Sequence, residues 1–244
     1  MRNIKLTIQY DGTNYAGWQV QKNGRAIQDV IQSVLRKITG AKANLIGSGR
    51  TDAGVHALAQ VANFKTRSKI PLERLHMALN SNLPEDIKVA AVQEARPKFN
   101  SRRDAKSKLY RYTIACGRFV DPFMRHFAAK CFYKLDLARM RRAAGMLTGR
   151  RDFRSFQKKD GEGKSSVCTI KKIKIEKKGS LIYIDMEADG FLYNMARNIA
   201  GTLIEVGRGK FAVEDVSEIL AKKDIKASGP TMPAKGLCLM KVRY

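Results

Sequence analysis

One carboxylate in this chain stands where chemistry can be done. In Gly49-Arg50-Thr51-Asp52-Ala53-Gly54-Val55-His56, Asp52 lies in a tight turn between an apolar run and a strand-like run. Arg50 stands two residues before it, and glycines flank the segment. Glycine has no Cβ, so a substrate or another backbone can approach closely there. A carboxylate in such a place can serve as nucleophile or base toward a bound ring or sugar. A glycosidase would need two carboxylates, and no second one stands near Asp52 in sequence. The competing reading is a turn aspartate that bonds its own backbone, the commonest work of Asp beside Gly.

Further along, Arg197 in Phe191-Leu192-Tyr193-Asn194-Met195-Ala196-Arg197-Asn198-Ile199 falls off the apolar stripe of its helix. It is either an exposed cation or a fixed partner that keeps a carboxylate ionised. Tyr110 and Tyr112, in Lys106-Ser107-Lys108-Leu109-Tyr110-Arg111-Tyr112, are either strand core or a stacking platform for a base. Phe153 and Phe156 interleave with basic residues between Arg151 and Ser166, where stacking on RNA and simple loop anchoring both fit.

Other patterns exclude chemistry. Gly47-Ser48-Gly49 with Gly54 has the wrong spacing for a dinucleotide fingerprint, and no helix pattern follows directly. Gly161-Glu162-Gly163-Lys164-Ser165 resembles the end of a phosphate-binding loop, but Lys158 holds the place of its first glycine and no strand precedes it. His56, His76 and His126 are scattered without ligand spacing, so no metal site is expected. Cys116, Cys131, Cys168 and Cys238 show no Cys-x-x-Cys pairing and read as reduced thiols of a cytosolic protein.

Composition narrows the partner. The 244 residues include 47 Lys plus Arg against 22 Asp plus Glu, so the net charge is 47 − 22 = +25, spread along the chain. A folded chain this basic expects a polyanion; the plainer reading is a solubility or host-composition effect. The hydrophobic fraction of 44% is too high for disorder. No run approaches the roughly 18 apolar residues of a spanning helix. No basic amphipathic helix or polybasic block flanks an apolar span, and the N-terminus lacks a signal-peptide apolar region. No membrane partner is expected, and the location is read as cytoplasmic.

Two sets of elements must position these residues. Ile4, Leu6, Ile8 and Tyr10 alternate as in a half-buried strand, and Ile27, Val30, Ile31, Val34, Leu35 and Ile38 follow helical spacing closed by Gly40. Leu45-Ile46 and Val55 to Phe64 are extended; a helix begins at Pro71 with Leu72, Leu75 and Leu79 on one face, and Ile87 to Val92 is a strand. The order then repeats loosely. Tyr110 to Ile114 is a strand, and a helix follows Asp136 as N-cap with Leu137, Met140, Ala144 and Leu147. Ile173 and Ile175, then Ile182 to Met186, are strands about a turn at Lys177-Lys178-Gly179-Ser180. Leu192, Met195, Ile199, Leu203 and Val206 mark a long helix, Val213 to Leu220 a shorter one, and Leu237 to Val242 a closing strand. The expected fold is α+β, in two similar halves, each an antiparallel sheet with helices on one face. The boundary falls in the basic stretch from Arg96 to Lys106, giving residues 1–103 and 104–244.

Taken in order, Tyr10-Asp11-Gly12-Thr13, Gly17-Trp18-Gln19, residues 49–56, Phe99-Asn100-Ser101-Arg102, Tyr110-Arg111-Tyr112, Asp152-Phe153-Arg154-Ser155-Phe156, residues 191–198 and Gly236-Leu237 resemble successive blocks of the tRNA pseudouridine synthase A (TruA) family, over nearly the whole chain. The resemblance implies isomerisation of uridine to pseudouridine in the tRNA anticodon stem-loop, typically at nucleotide positions 38, 39 and 40, in an active-site cleft between the halves. It makes Asp52 the catalytic aspartate, Tyr110 the ring that stacks on the target base, and Arg197 the arginine that pairs with the aspartate. Arg50 matches a residue linked to base flipping, Leu237 one that lines the pocket, and Arg102 belongs to a substrate-binding block. The resemblance also implies no cofactor, no metal and a homodimer. Asn194 stands where some members carry histidine, and both side chains hydrogen-bond. Cys168 stands where arginine is frequent, which removes one phosphate contact.

The chemistry suits a single carboxylate, because no external group enters. Addition to C6 of the base, attack on C1′ of the ribose and removal of a C2′ proton are all open to Asp52. A rival reading, an RNA-binding protein without catalysis, would share the basic charge and the aromatics but gain nothing from Asp52. A base-excision enzyme would release free uracil.

Overall fold

The computed structural model describes residues 1–22, 24–158 and 165–244. In chain order the elements are β1 (Arg2–Tyr10), α1 (Ile27–Thr39), β2 (Ile46–Gly47), β3 (His56–Thr66), α2 (Leu72–Asn82), β4 (Ile87–Ala95), β5 (Ser107–Cys116), β6 (Ala129–Cys131), α3 (Leu137–Met146), β7 (Gly149–Asp152), β8 (Val167–Lys178), β9 (Leu181–Ala188), α4 (Met195–Gly207), α5 (Asp215–Lys222) and β10 (Leu237–Arg243). The chain forms two units, Met1–Lys106 with Cys238–Tyr244, and Ser107–Leu237. Each is α+β.

In the first unit β1 lies between β3 and β4, antiparallel to both. The alternation expected in β1 buries Ile4, Leu6 and Ile8 completely. The β1–β3 register slips between Ile8, opposite Gln60, and Tyr10, opposite Ala57. Such a bulge re-aims side chains locally. β2 adds a short antiparallel pair to β3, and Cys238–Leu239 pair in parallel with His56–Ala57. Helix α1 buries Ile27, Ile31 and Leu35, spaced four apart as one face requires. Each such side chain is worth about 1.5–3 kcal/mol in burial. Gly40 ends the helix with φ 71° and returns its N–H to Arg36 O, a left-handed cap that glycine adopts without strain. Helix α2 follows Pro71, buries Leu75 and Leu79, and packs on β4 and α1.

In the second unit β9 lies between β5 and β8, antiparallel to both, with β7 beyond β8. β6 pairs in parallel with β5. The hairpin between β8 and β9 turns on Gly179 at φ 58°. Asp136 caps α3 as expected, its Oδ1 accepting from Ala138 N at 2.8 Å and Arg139 N at 3.1 Å. Helix α3 packs on α4 and on β8.

Two local expectations change, and one open alternative is decided. Helix α4 begins at Met195 rather than Leu192, because Asn194 sits in the left-handed region at φ 62° and interrupts the helical path. The basic segment from Gly149 is a strand for four residues, β7, although its charged sequence carries no alternation. The loop after it is anchored by Phe153 and Phe156, both fully buried, with ring centroids 6.1 Å apart. That settles their role as anchors rather than exposed stacking rings. Residues 161–164, weighed above as a phosphate-binding loop, lie outside the described residues.

Candidate functional site

Asp52 opens a tight turn: Val55 N donates to Asp52 O at 3.1 Å, and Gly54 at the third position has φ 77°. A side chain at Gly54 would strain that conformation. Residues of the two blocks 10–13 and 17–19, and Tyr15 between them, pack against this segment. Gly54 N donates to Tyr15 O at 3.3 Å, Trp18 N to Thr51 O at 3.0 Å, and Gly12 N to His56 Nδ1 at 3.0 Å. Gly12 and Gly17 are glycine for contact reasons. A Cβ on Gly12 would overlap Val55 O, and one on Gly17, already at φ 99°, would stand 2.5 Å from Thr51 O.

The strand leading into the turn is held by buried polar groups. Ser48 N donates to Val61 O at 2.8 Å, and Ser48 Oγ to Gln60 Oε1 at 2.6 Å. Gln60 Nε2 donates to Gly49 O at 3.0 Å. The Tyr10 hydroxyl and Thr51 Oγ1 share a hydrogen bond of 2.9 Å. Burial pushes the Tyr10 phenol far above the usual tyrosine range, so it acts as a neutral hydroxyl. Between these fixed points Arg50 is exposed and Asp52 half-buried. Arg102, also exposed, follows a segment tied by Ser101 N to Asn63 Oδ1 at 2.8 Å, while Asn100 Oδ1 accepts from Arg102 N at 3.0 Å.

In the second unit Tyr110 is buried on β5 and meets Phe191 edge-on, with centroids 5.0 Å apart at 79°. Tyr112 is core: fully buried, its hydroxyl donates to Pro233 O at 2.8 Å, and a Cβ on Gly236 would stand 2.6 Å from its ring. Leu237 is buried. Arg197 is half-buried rather than exposed. Its Nε donates to Met232 O at 2.6 Å and its Nη1 to Asn194 Oδ1 at 3.0 Å. It stands in the first turn of α4, which holds no acidic residue. A cation there opposes the helix dipole, at a cost of about 0.3–1 kcal/mol. The same combination of guanidinium and helix N-terminus favours an anion.

Sequence reasoning named Asp52, Arg50, Arg102, Tyr110, Arg197 and Leu237, and missed the polar supports Tyr10, Ser48, Thr51 and Gln60. A signal existed: His56, Gln60 and Asn63 are polar residues at buried positions of a strand otherwise apolar inside. Among the described residues no helix is long and apolar enough to cross a membrane.

Comparison with known proteins places the chain in a family. The profile of the family described as tRNA pseudouridine synthase matches residues 6–104 and 143–244. The chain belongs to the tRNA pseudouridine synthase family, whose members are isomerases. Among its relatives, the tRNA pseudouridine synthase A of Thermoanaerobacter sp. (strain X514) is 46% identical over 244 residues, all of both chains. Those of Acetivibrio thermocellus and Pelobacter propionicus are 46% and 47% identical, again over all of both chains. Tyr110 lies outside both stretches matched by the family profile but within the span of these relatives. Among solved structures, a chain of a Cbf5-Nop10-Gar1 complex is 12% identical, with a TM-score of 0.37, 96% of this chain covered and 57% of that one.

Proposed function

We propose that this chain isomerises uridine to pseudouridine in the anticodon stem-loop of tRNA, at nucleotide positions 38, 39 and 40, with Asp52 as the catalytic carboxylate. The observation that carries this reading is the Asp52 turn. Its neighbours 48, 49 and 51 are tied down by buried and part-buried hydrogen bonds, while Arg50 is exposed and Asp52 half-buried. A turn aspartate with only a structural duty has no need of that support.

The reaction breaks the bond from uracil N1 to ribose C1′, turns the base, and joins C5 to C1′. C5 gives up its proton and N1 gains one, so substrate and product are isomers and no group is supplied from outside. Tyr110 stacks on the target base, Arg197 keeps the aspartate ionised, Arg50 assists base flipping, Leu237 lines the pocket and Arg102 contacts substrate. These are the roles the family resemblance gives them, with residues 1–103 carrying the aspartate and 104–244 the tyrosine and Arg197. A target base must leave its stack at a cost of a few kcal/mol, and phosphate contacts of a chain with net charge +25 help offset it. The working form in this reading is a cytoplasmic homodimer that binds tRNA.

The test is tritium release from tRNA labelled at uridine C5, comparing wild type with Asp52→Ala. Release by wild type alone, with tRNA affinity kept in the variant, is the expected result. Release by Asp52→Ala at the wild-type rate would remove Asp52 from the chemistry. Tight binding without release by either protein would favour an RNA-binding protein without catalysis.

A further inference from the structure

Gln60 on β3 and Tyr10 on β1 are buried polar side chains, and both reach the backbone or hydroxyls of residues 48–51. They stand at the place where the β1–β3 register slips, Ile8 opposite Gln60 and then Tyr10 opposite Ala57. Gln60 lies opposite Ile8, and Ile8 and Tyr10 share one face of β1, so both polar side chains stand on the same face. Gln60 is used at both ends: Oε1 accepts from Ser48 Oγ and from Val61 N at 3.2 Å, and Nε2 donates to Gly49 O. Trp18 closes the other side, fully buried against Gly47, where a Cβ would stand 2.5 Å from its ring. Positions 47, 48, 49 and 51 are each fixed, and the two charged residues between and after them, Arg50 and Asp52, are presented.

We infer that Tyr10 and Gln60 are positioning residues for Asp52, holding Thr51 and the 48–49 backbone so that the carboxylate is delivered in one place. This rests on the reading of Asp52 as the catalytic carboxylate. A hydroxyl-to-hydroxyl bond one residue from the reacting group sets the direction of the following Cα–Cβ bond, and an error of about 1 Å at a reacting atom costs on the order of a hundredfold in rate. The tether contributes nothing to tRNA contact, since all four of its side chains are buried.

The test uses Tyr10→Phe, Thr51→Val and Thr51→Ser in the full chain. Tyr10→Phe and Thr51→Val each remove one end of the hydrogen bond and keep the shape. Each is expected to lower kcat by about tenfold or more while KM for tRNA stays within about twofold, and Thr51→Ser, which keeps the hydroxyl, is expected to restore turnover. The double variant Tyr10→Phe with Thr51→Val should lose no more than either single change, because both delete one interaction. Gln60→Leu should act in the same direction; if it does not fold, Tyr10→Phe carries the test. Wild-type kcat in Tyr10→Phe, additive losses in the double variant, or Thr51→Ser as poor as Thr51→Val would each overturn the inference. Amide hydrogen exchange at residues 49–53 reads the tether without activity. Faster exchange in Tyr10→Phe is expected, and unchanged exchange would overturn the tether even if wild type released no tritium and the catalytic reading had failed separately.

Discussion

Two helical glycines in the second unit should respond to the same substitution with opposite signs. Gly145 lies in α3 with open space where a Cβ would go. Gly145→Ala should stabilise by about 0.4–1 kcal/mol, by narrowing the unfolded ensemble. In a chain of this size that is a rise of roughly 1–4 °C in Tm. Gly201 lies in α4, where a Cβ would overlap Pro230 O, with Pro230 C at 3.0 Å and Pro230 N at 3.3 Å behind it. These are backbone atoms and cannot rotate aside. The segment is pinned there by Gly229 N to Thr202 Oγ1 at 2.8 Å and Thr231 Oγ1 to Asn198 Oδ1 at 2.6 Å. Overpacking of this kind costs about 1–3 kcal/mol, and backbone against backbone belongs at the upper end. After the roughly 1 kcal/mol that alanine returns in helix propensity, Gly201→Ala should lose about 2 kcal/mol, or roughly 4–8 °C. It should also slow turnover, because Pro230 lies two residues before Met232, whose carbonyl holds Arg197 Nε. Thermal melts followed by circular dichroism, with tritium release on the same samples, read both effects. A rise in Tm for Gly201→Ala, or a fall for Gly145→Ala, would refute the packing argument.

Three other outcomes are expected. The affinity for tRNA should fall steeply with salt, and Arg50→Ala and Arg102→Ala should each reduce the slope of log affinity against log salt by about 1; a flat salt response in wild type would refute phosphate-driven binding. Cys116 and Cys131 are register partners on β5 and β6, and the hydrogen bond from Cys116 lowers the Cys131 thiol, helped by a backbone hydrogen bond at Tyr133 and by Arg208, while the same bond pushes Cys116 up. The lowered Cys131 value adds stability that is present above its ordinary value near 9 and is lost as pH falls below that through its lowered value. The raised Cys116 value adds stability that is intact below 9 and lost above it. Denaturant unfolding from pH 6 to 10 should therefore show wild-type stability gaining on Cys131→Ser up to about pH 9 and then losing that gain, and parallel curves would contradict the thiol pairing. At Asn194, φ 62° suits glycine, so Asn194→Gly should keep stability, whereas Asn194→Ala should lose about 1–2 kcal/mol. Both variants lose the bond to Arg197 and should lose turnover alike, and full activity in Asn194→Gly would deny that bond a role.

Much of this was legible because periodicity reports burial. The alternation of Ile4, Leu6 and Ile8 and the four-residue spacing of Ile27, Ile31 and Leu35 each describe one buried face, and the structure buries those faces. Asp136 and Gly40 were legible as caps because their duties are local. What failed to show was decided by other parts of the chain. β7 is a strand because β8 lies beside it, not because Gly149-Arg150-Arg151-Asp152 prefers one. The late start of α4 depends on a left-handed Asn194 inside an apolar helical pattern. Among the candidate residues, Asp52 was visible from its glycines, but Gln60 is 11 residues from Gly49 and Tyr10 is 41 from Thr51. No window reading joins them; the pairing of β3 with β1 and β2 does.

Two of the places where the chain breaks the ordinary rules of stability hold residues proposed for catalysis; others, the buried Glu205 and Lys223 at φ 51°, lie elsewhere in the second unit. A buried carboxamide, two buried hydroxyls and a buried phenol stand beneath Arg50 and Asp52, where apolar side chains would fill a core at less risk, since each polar group left unmatched costs about 1–3 kcal/mol. At the start of α4 a non-glycine residue holds a left-handed conformation, and the guanidinium it bonds faces the positive end of the helix dipole. Neither cluster is needed to hold its unit together: β1 to β4 pair through long antiparallel ladders, and α4 buries an apolar face of its own. A fold selected for stability alone would put Leu at Gln60 and a glycine or a capping Ser at Asn194, and would leave Arg197 out of the first turn. Retaining all three makes sense if their yield is the fixed direction of one carboxylate and one guanidinium. The substitutions that stabilise this chain should then lie away from these residues, as at Gly145, while those that relieve the strain should cost turnover.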